Sequence, residues 1–262
     1  TFDINNIHNF VNKTTTMDDI IQVSFSGGRS SAMMAKIMLD NYPKERLIFT
    51  FANTGKEMPE TLDFIHECDV RWRLGVVWIE YAIEKGYKVV TYETASRNGE
   101  PFEALITKRN YLPNQQTRFC TSDLKVKPMK RYLVAQGHKH WSAALGIRKD
   151  EPNRYFKLKN QNKKDRWDYI FPLWEFGISK ADVTTFWQQQ GFDLGINSQL
   201  GNCDFCFLKG MGKKLSQARL MPERLQWWMD MEVKIGATFH KGYSYAELAQ
   251  LNKNPTLFDE PE

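Results

Sequence analysis

Short apolar, β-branched runs alternate with helix-patterned segments from Asp18 to about Arg148, and this alternation constrains the fold more than any other feature. Ile20-Ile21-Gln22-Val23-Ser24-Phe25 runs straight into Ser26-Gly27-Gly28, after which Ser30 to Asp40 carries Ala, Met, Ile and Leu on nearly every side. A helix apolar all round belongs against a sheet. Leu47 to Phe51 predicts a second strand ending at Asn53-Thr54-Gly55, and Pro59 opens a helix through about Cys68, since proline suits the first helical turn. Val76 to Tyr81 and Lys88 to Tyr92 predict two strands around a Gly86 turn. Pro101 to Arg109 and Val126 to Gln136 read as helices, and Trp141 to Leu145 as a last central strand ending at Gly146-Ile147-Arg148. Such alternation predicts an α/β fold: a Rossmann-like, doubly wound, mostly parallel sheet with helices on both faces.

The α/β domain is expected over residues 18–152, behind a polar leader at 1–17. Residues 153–168 shift to Lys, Asn, Gln and Arg and read as a mobile basic loop. Residues 169–262 form a C-terminal helical extension, with helices expected at Lys180 to Gln190 and near Pro222 to Glu232. Hydrophobic residues make up 42% of the chain and charged residues 26%, which excludes wholesale disorder and a collagen-like fibre. Four cysteines, unevenly spaced, exclude a disulfide-stapled framework, and no stretch approaches the roughly 20 apolar residues of a membrane span. The expected compartment is a reducing cytoplasm. Lys plus Arg (36) exceeds Asp plus Glu (31), enough to welcome an anionic ligand without demanding nucleic acid.

The sharpest local motif is Ser24 to Ser31, between a strand and a helix. Gly27 and Gly28 let the backbone approach a ligand and turn its amides inward, while the helix dipole and first-turn amides favour phosphate. Ser26, Ser30 and Ser31 add hydroxyls and Arg29 adds charge. The spacing is neither the Walker pattern nor the dinucleotide Gly-x-Gly-x-x-Gly, and a plain glycine turn feeding a buried helix is the competing explanation. Asn53-Thr54-Gly55 and Gly146-Ile147-Arg148 occupy two more strand ends, where open α/β sheets bind ligands. Arg118, Lys125 and Lys127 bring basic charge beside Cys120.

Together these segments resemble the phosphoadenosine phosphosulfate (PAPS) reductase family of the adenine nucleotide alpha hydrolase group. Ser26 to Ser31 is similar to the family's pyrophosphate-binding loop, with Arg29-Ser30 where Lys-Asp is often seen. Asn53-Thr54-Gly55 with Pro59-Glu60-Thr61 resembles its Asp-Thr-Gly and Pro-Glu-Thr segment. Gly146 through Arg154 resembles its Gly-Ile-Arg segment, and Phe171 to Trp174 its Pro-Leu segment. The resemblance implies an adenine nucleotide, ATP or a sulfonucleotide (PAPS or APS), with Mg²⁺ accompanying ATP. Ser26, Gly27, Gly28, Arg29, Ser30, Ser31 and Gly146 would hold its phosphates, and Asn53, Thr54 and Gly55 would lie near the adenosine. Arg29, Arg118, Lys125 and Arg148 are the candidate catalytic cations.

Family reductases attack sulfur with a cysteine on a mobile C-terminal tail, but here no cysteine follows Cys206. Cys68 sits on an apolar helix face and reads as structural. The expected reaction is therefore ATP cleavage between the α- and β-phosphates, adenylating an acceptor before sulfur displaces AMP. The acceptor is open: a tRNA or DNA base, or a small metabolite. Two alternatives stand beside it, reductive cleavage of a sulfonucleotide with an external thiol and a nucleotide-sensing or nucleic-acid-binding module without turnover. Cys203-x-x-Cys206 with Cys120 matches the regions where cluster-bearing relatives place cysteines, implying a [4Fe–4S] cluster on three thiolates. Zinc with a histidine, or three unmetallated thiols, compete. The basic run Lys157 to Arg166 reads as a solvated loop or a nucleic-acid guide, and Trp227-Trp228 as packing.

Overall fold

The computed structural model describes residues 20–160, 165–196, 200–201 and 203–253; the proposed leader lies outside them. Among the described residues six strands form one sheet in the order β4-β3-β2-β1-β5-β6. They are β1 (Ile21–Ser24), β2 (Leu47–Asn53), β3 (Val77–Glu80), β4 (Lys88–Val90), β5 (Trp141–Ala144) and β6 (Trp167–Ile170). All neighbours run parallel except β4, which folds back antiparallel on β3. From β1 the chain winds outward through β2 and β3, then crosses to the far side for β5 and β6. The strand order therefore reverses at β1, and a crevice opens beyond the carboxyl ends of β1 and β5.

The central strands are buried on both faces, as parallel strands must be. Ile21 and Val23 are fully buried on one face. On the other, Trp141 Nε1 donates to Gln22 Oε1 (3.1 Å), and Gln22 Nε2 donates to Thr50 Oγ1 (3.0 Å). A buried polar chain thus crosses β5, β1 and β2. Helix α1 (Arg29–Asn41) presses Met33, Met34 and Met38 onto the sheet, and α2 (Pro59–Trp72) adds Leu62, Phe64, Ile65 and Cys68. Pro59 begins α2 and Arg73, with a left-handed φ of 53°, ends it. Cys68 is fully buried, as its helical position predicts.

A second aromatic core belongs to the C-terminal extension. It gathers Phe102 and Leu105 of α3 (Glu100–Arg109), Phe205 and Phe207 of the cysteine turn, and Trp228, Phe239 and Tyr245. The last three lie on or beside α8 (Pro222–Ile235) and α9 (Tyr245–Lys253), with α7 (Met211–Leu220) completing the layer. Trp228 is packing, 1% exposed. Between the cores, a helical turn (Phe119–Thr121) passes through a π-helical segment (Ser122–Val126) into α4 (Lys127–Ala135). Among the described residues no helix is long and apolar enough to cross a membrane.

The segment expected as a basic loop, 153–168, is largely ordered secondary structure. Helix α5 (Pro152–Lys159) starts at Pro152 and is anchored by Tyr155, stacked on Trp174 at 4.0 Å. Strand β6 follows, with Trp167 stacked on Trp141 at 5.6 Å. Its alternation is only four residues long, and flanking lysines and arginines hide it in the composition. Residues 161–164 lie outside the described residues.

Helix α6 (Lys180–Gln188) is capped by Ser179, whose Oγ accepts from the Asp182 amide, and packs on α1. Trp187 is its anchor: 3% exposed, 4.9 Å from the Phe64 ring, and donating from Nε1 to Arg29 O (3.0 Å). Trp187→Ala should lower unfolding free energy by about 3–5 kcal/mol, the usual loss for an emptied aromatic site. Trp187→Phe keeps most of the packing and should lose about 1 kcal/mol for the hydrogen bond. Urea titration monitored by circular dichroism checks the ratio.

Candidate nucleotide crevice and thiol centre

The crevice at the strand reversal encloses about 730 Å³. One wall is the Ser26–Ser31 loop, a second the turn Gly146-Ile147-Arg148, and a third comes from α6 and Asp193 to Ile196. Gly27 has a φ of +80°, and a Cβ there would stand 2.5 Å from Thr61 Cγ2. Only glycine fits that bend. At Gly146 a Cβ would meet Ser31 Cα at 3.1 Å, so the β5 turn presses directly on the first turn of α1. The start of α1, like any helix start, leaves its first amides without intrahelical partners.

The serines divide their work. Ser31 Oγ donates to Gly28 O (2.8 Å) and accepts from the Ser26 and Gly28 amides (both 3.2 Å), so it ties the loop rather than offering itself outward. Ser30 Oγ accepts from Arg148 Nη1 at 3.0 Å, which points that guanidinium across the crevice onto the loop. Arg148 also pairs with Asp150 (2.9 Å) and Glu151 (3.4 Å). Arg29 lines the crevice too, but its guanidinium grips Asp193 through two bonds (2.6 and 2.8 Å) and donates to Leu194 O (2.7 Å). Lys180 and Arg154 complete the cationic lining. Lys180 and Asp193 had no local motif to announce them, because α6 brings them in from more than 30 residues after β5.

Asn53, Thr54 and Gly55 do not line the crevice walls. Asn53 is fully buried, donating to Glu80 Oε1 (2.7 Å) and Ser96 O (2.8 Å) and accepting from the Gly55 amide (3.0 Å). Gly55, at φ +77°, leaves no room for a Cβ against Gly99 Cα (2.9 Å). Together they shape a platform on which the cysteine turn sits. Glu57 and Cys203 form an antiparallel bridge, and the Asp204 amide donates to Lys56 O (2.7 Å).

Cys203 Sγ lies 3.4 Å from Thr54 Oγ1 and 3.9 Å from Glu57 Oε1. Lys125 Nζ reaches the same Glu57 oxygen at 3.2 Å. Burial pushes the Cys203 thiol up to about 12, with Glu57 and Cys206 adding and Lys125 opposing. Burial also raises Cys120, and Cys206 adds to it. Cys206 thus acts electrostatically on both other thiols, one of them from a distant segment of the chain. Lys125 is raised: burial opposes its charge, but Glu57, Cys203 and Cys120 outweigh it. Arg118 precedes the Phe119 turn, is exposed and does not line the crevice.

Among the described residues no three metal-ligating side chains are gathered tightly enough to hold an ion. The donor set is nonetheless chemically suited to a soft metal, and its surroundings are suited to negative charge. Lys214 is fully buried, donates to Tyr243 Oη (2.7 Å) and Phe207 O (3.3 Å), and among the described residues pairs with no carboxylate. Burial pushes its ammonium down to about 8, with Cys206 opposing and Lys209 adding to the fall. Lys209 Nζ donates to Cys203 O (2.8 Å) and Leu200 O (3.2 Å).

One carboxylate holds this centre to the sheet. Asp204 is fully buried between Lys56 Nζ (3.3 Å), the Arg224 guanidinium and Trp228 Nε1 (2.8 Å), and Arg224 Nη2 also donates to Glu57 O (2.9 Å).

The model of the phosphoadenosine phosphosulfate reductase domain matches residues 20–194, the whole sheet and both crevice loops. The chain belongs to that family. Within reach of this PAPS reductase domain chain is an uncharacterized nin region protein of Escherichia phage lambda, 33% identical over 202 residues, 73% of this chain and 67% of that one. An uncharacterized protein of Methanocaldococcus jannaschii is 25% identical over 227 residues, 82% of this chain; the chain spans about half of its length (48%). Two solved structures are similar to it more distantly. The PAPS reductase of Candida auris in its phosphate complex is 13% identical, with a TM-score of 0.49 over 72% of this chain and 81% of that one. The U34-tRNA thiolase NcsA of Methanococcus maripaludis with its [4Fe-4S] cluster is 16% identical, with a TM-score of 0.48 over 99% and 81%.

Asp204→Asn leaves Lys56 and Arg224 facing a neutral amide and should destabilise the protein by about 3–5 kcal/mol, as broken buried pairs do. Limited proteolysis should release the extension first, and unchanged protease resistance would refute the clamp. Lys214 gives a pH signature. Between its folded value near 8 and the ordinary 10.5, the unfolded chain binds a proton that the folded chain has lost, so this lysine adds stability as pH rises. The stability of wild type relative to Lys214→Met, measured by urea titration, should therefore climb from pH 8 to pH 10 and stay flat below pH 7.

Proposed function

We propose that this PAPS reductase domain protein binds ATP in the crevice and cleaves it between the α- and β-phosphates. The observation that supports this best is the meeting of the α1 amides, Ser30 and Arg148 at the strand reversal, with the thiol centre beginning two residues beyond Gly201 of the crevice wall. Gly27 and Gly28 bring the backbone to the β- and γ-phosphates, accompanied by Mg²⁺, and Arg148 and Lys180 stabilise the leaving pyrophosphate. Preorganised donors of this kind are worth about 10²–10³ in rate. Arg29 is held by Asp193, and its part is to fix the wall rather than to contact phosphate.

The acceptor oxygen attacks the α-phosphorus, the bond to the bridging oxygen breaks, and pyrophosphate leaves, so the acceptor carries AMP. A sulfur nucleophile then displaces AMP at the acceptor carbon. Cys120, Cys203 and Cys206 would hold a [4Fe–4S] cluster, with zinc as the alternative; when bound it supplies a thiophilic site for sulfide. The chain's own contribution is to bury that sulfur beside the crevice, away from bulk water, with Lys125, Lys209 and Lys214 balancing its negative charge. A tRNA or DNA base is the acceptor that suits the extra basic surface of α4 and α5.

Product analysis after anaerobic purification tests the reaction. AMP and pyrophosphate are expected, together with iron and sulfide in the protein, and Arg148→Ala should slow turnover about 100-fold. ADP and phosphate would defeat the mechanism. Sulfite from a sulfonucleotide would replace it with reductive cleavage, and calorimetry showing no nucleotide binding would remove the site.

A further inference from the structure

A second cavity, of about 190 Å³, lies along the β1–β5–β6 face beneath α4. Its lining is aromatic and aliphatic: Trp141, Trp167, Tyr169, Met129 and Leu158. Ser24 and Leu145 line both this cavity and the phosphate crevice, so the two spaces meet at the carboxyl ends of β1 and β5. Trp141 is buried, whereas Trp167, Tyr169 and Leu158 are half-buried, so the cavity opens toward α5 and β6.

Of the polar groups that line it, Ser24, Gln22 and Lys130, the most deeply placed is already committed. The Gln22 amide gives its Nε2 to Thr50 and takes the Trp141 indole at its Oε1. What remains for an occupant is chiefly aromatic surface: the Trp141 and Trp167 rings stack on each other and Lys130 lies over Trp167, leaving their edges and the Tyr169 ring toward the space. That chemistry receives a flat aromatic heterocycle by stacking and does not read its edges. The volume suits one such ring system.

The rim supplies the second, independent observation. Lys130 lines the cavity and lies 5.1 Å from the Trp167 ring centroid, with Asp165 at 3.8 Å. Exposed Lys127, Lys157, Lys159 and Arg166 are each next in sequence to a lining residue, Val126, Leu158 or Trp167. Asp123 answers Lys127 (2.7 Å), and Asp168 faces His140 (3.5 Å), so the balance around the opening stays positive. A free nucleotide has all its charge in the crevice and gives this rim nothing to hold. A polynucleotide carries a phosphate at every residue and matches it.

We propose that the cavity receives one unpaired base of a single-stranded nucleic acid, whose flanking phosphates lie on the cations of α4 and α5 and on Arg166. This deepens the function proposed above by naming the acceptor class, and it rests on the crevice being the nucleotide site. The base would meet the bound nucleotide across Ser24 and Leu145.

The test uses the full-length chain and a ten-nucleotide single strand, as RNA and as DNA, carrying the fluorescent base 2-aminopurine at its centre. Stacking on Trp167 and Tyr169 should quench that base, and an otherwise identical strand with an abasic centre should bind about tenfold more weakly. A blunt duplex should show neither effect. Leu158→Trp fills the cavity and Trp167→Ala removes one face; each should abolish the quench and the abasic penalty while leaving ATP calorimetry unchanged. Lys157→Glu should weaken intact and abasic strands alike and flatten the salt dependence. Equal affinity for intact and abasic strands in the wild type overturns the proposal, whatever the variants do. So does displacement of the quenched base by saturating ATP, which would give the cavity to the nucleotide's own base. If strands bind and quench but calorimetry finds no ATP site, it is the nucleotide function that fails, and the base pocket stands.

Discussion

A carboxylate with no access to water holds this molecule's two halves in one chemical unit. Burying Asp204 is tolerable only because Lys56, Arg224 and the Trp228 indole all converge on it. Lys56 belongs to the loop after β2, while Arg224 and Trp228 belong to α8. The extension's aromatic core therefore cannot slide on the sheet without stranding a charge. Cys203, next in sequence to Asp204, inherits its position from that clamp, and so does its contact with Thr54 and Glu57.

This explains a division of labour between the loops that follow β1, β2 and β5. The first and third build the crevice, pressed together where Gly146 meets Ser31. The second has turned away from the crevice to carry the thiol centre. Asn53 and Gly55 are spent on internal hydrogen bonds and close backbone contact, and Thr54 and Glu57 face sulfur. Arg29 shows the same economy of roles, since a guanidinium held by Asp193 braces the wall that leads from α6 toward Gly201.

Much of this could be seen in the sequence, for local reasons. The Ser24–Ser31 and Gly146–Arg148 turns follow apolar runs directly, so their residue types and their place after a strand betray them, although the contacts that demand glycine, Gly27 against Thr61 and Gly146 against Ser31, are distant in sequence. Cys68 and Trp228 were placed correctly in the core because helical spacing from their neighbours encodes burial. Strand β6 was hidden because four residues of alternation cannot outweigh five basic residues around them. The internal contacts of Asn53 were not legible because its partners, Glu80 and Ser96, are distant in sequence. Lys180, Asp193 and the buried lysine at 214 escaped notice for the same reason, since each acquires meaning from a contact that only the closed fold creates.

The polar chain through Trp141, Gln22 and Thr50 has a consequence for how the sheet assembles. Parallel strands are joined by long crossovers and pair late, when misalignment is easiest. A slip of β1 by one residue would exchange its two buried faces and drive Gln22 into the apolar one, but a slip of two would keep Ile21 and Val23 on their own face and cost little in hydrophobic burial. The chain of hydrogen bonds removes that loophole. Two residues out of step, the Gln22 amide and the Thr50 hydroxyl would be buried without partners, at about 1–3 kcal/mol each. Alignment of the central strands, and with it the meeting of the β1 and β5 turns, is thus checked by polar groups that never touch a ligand.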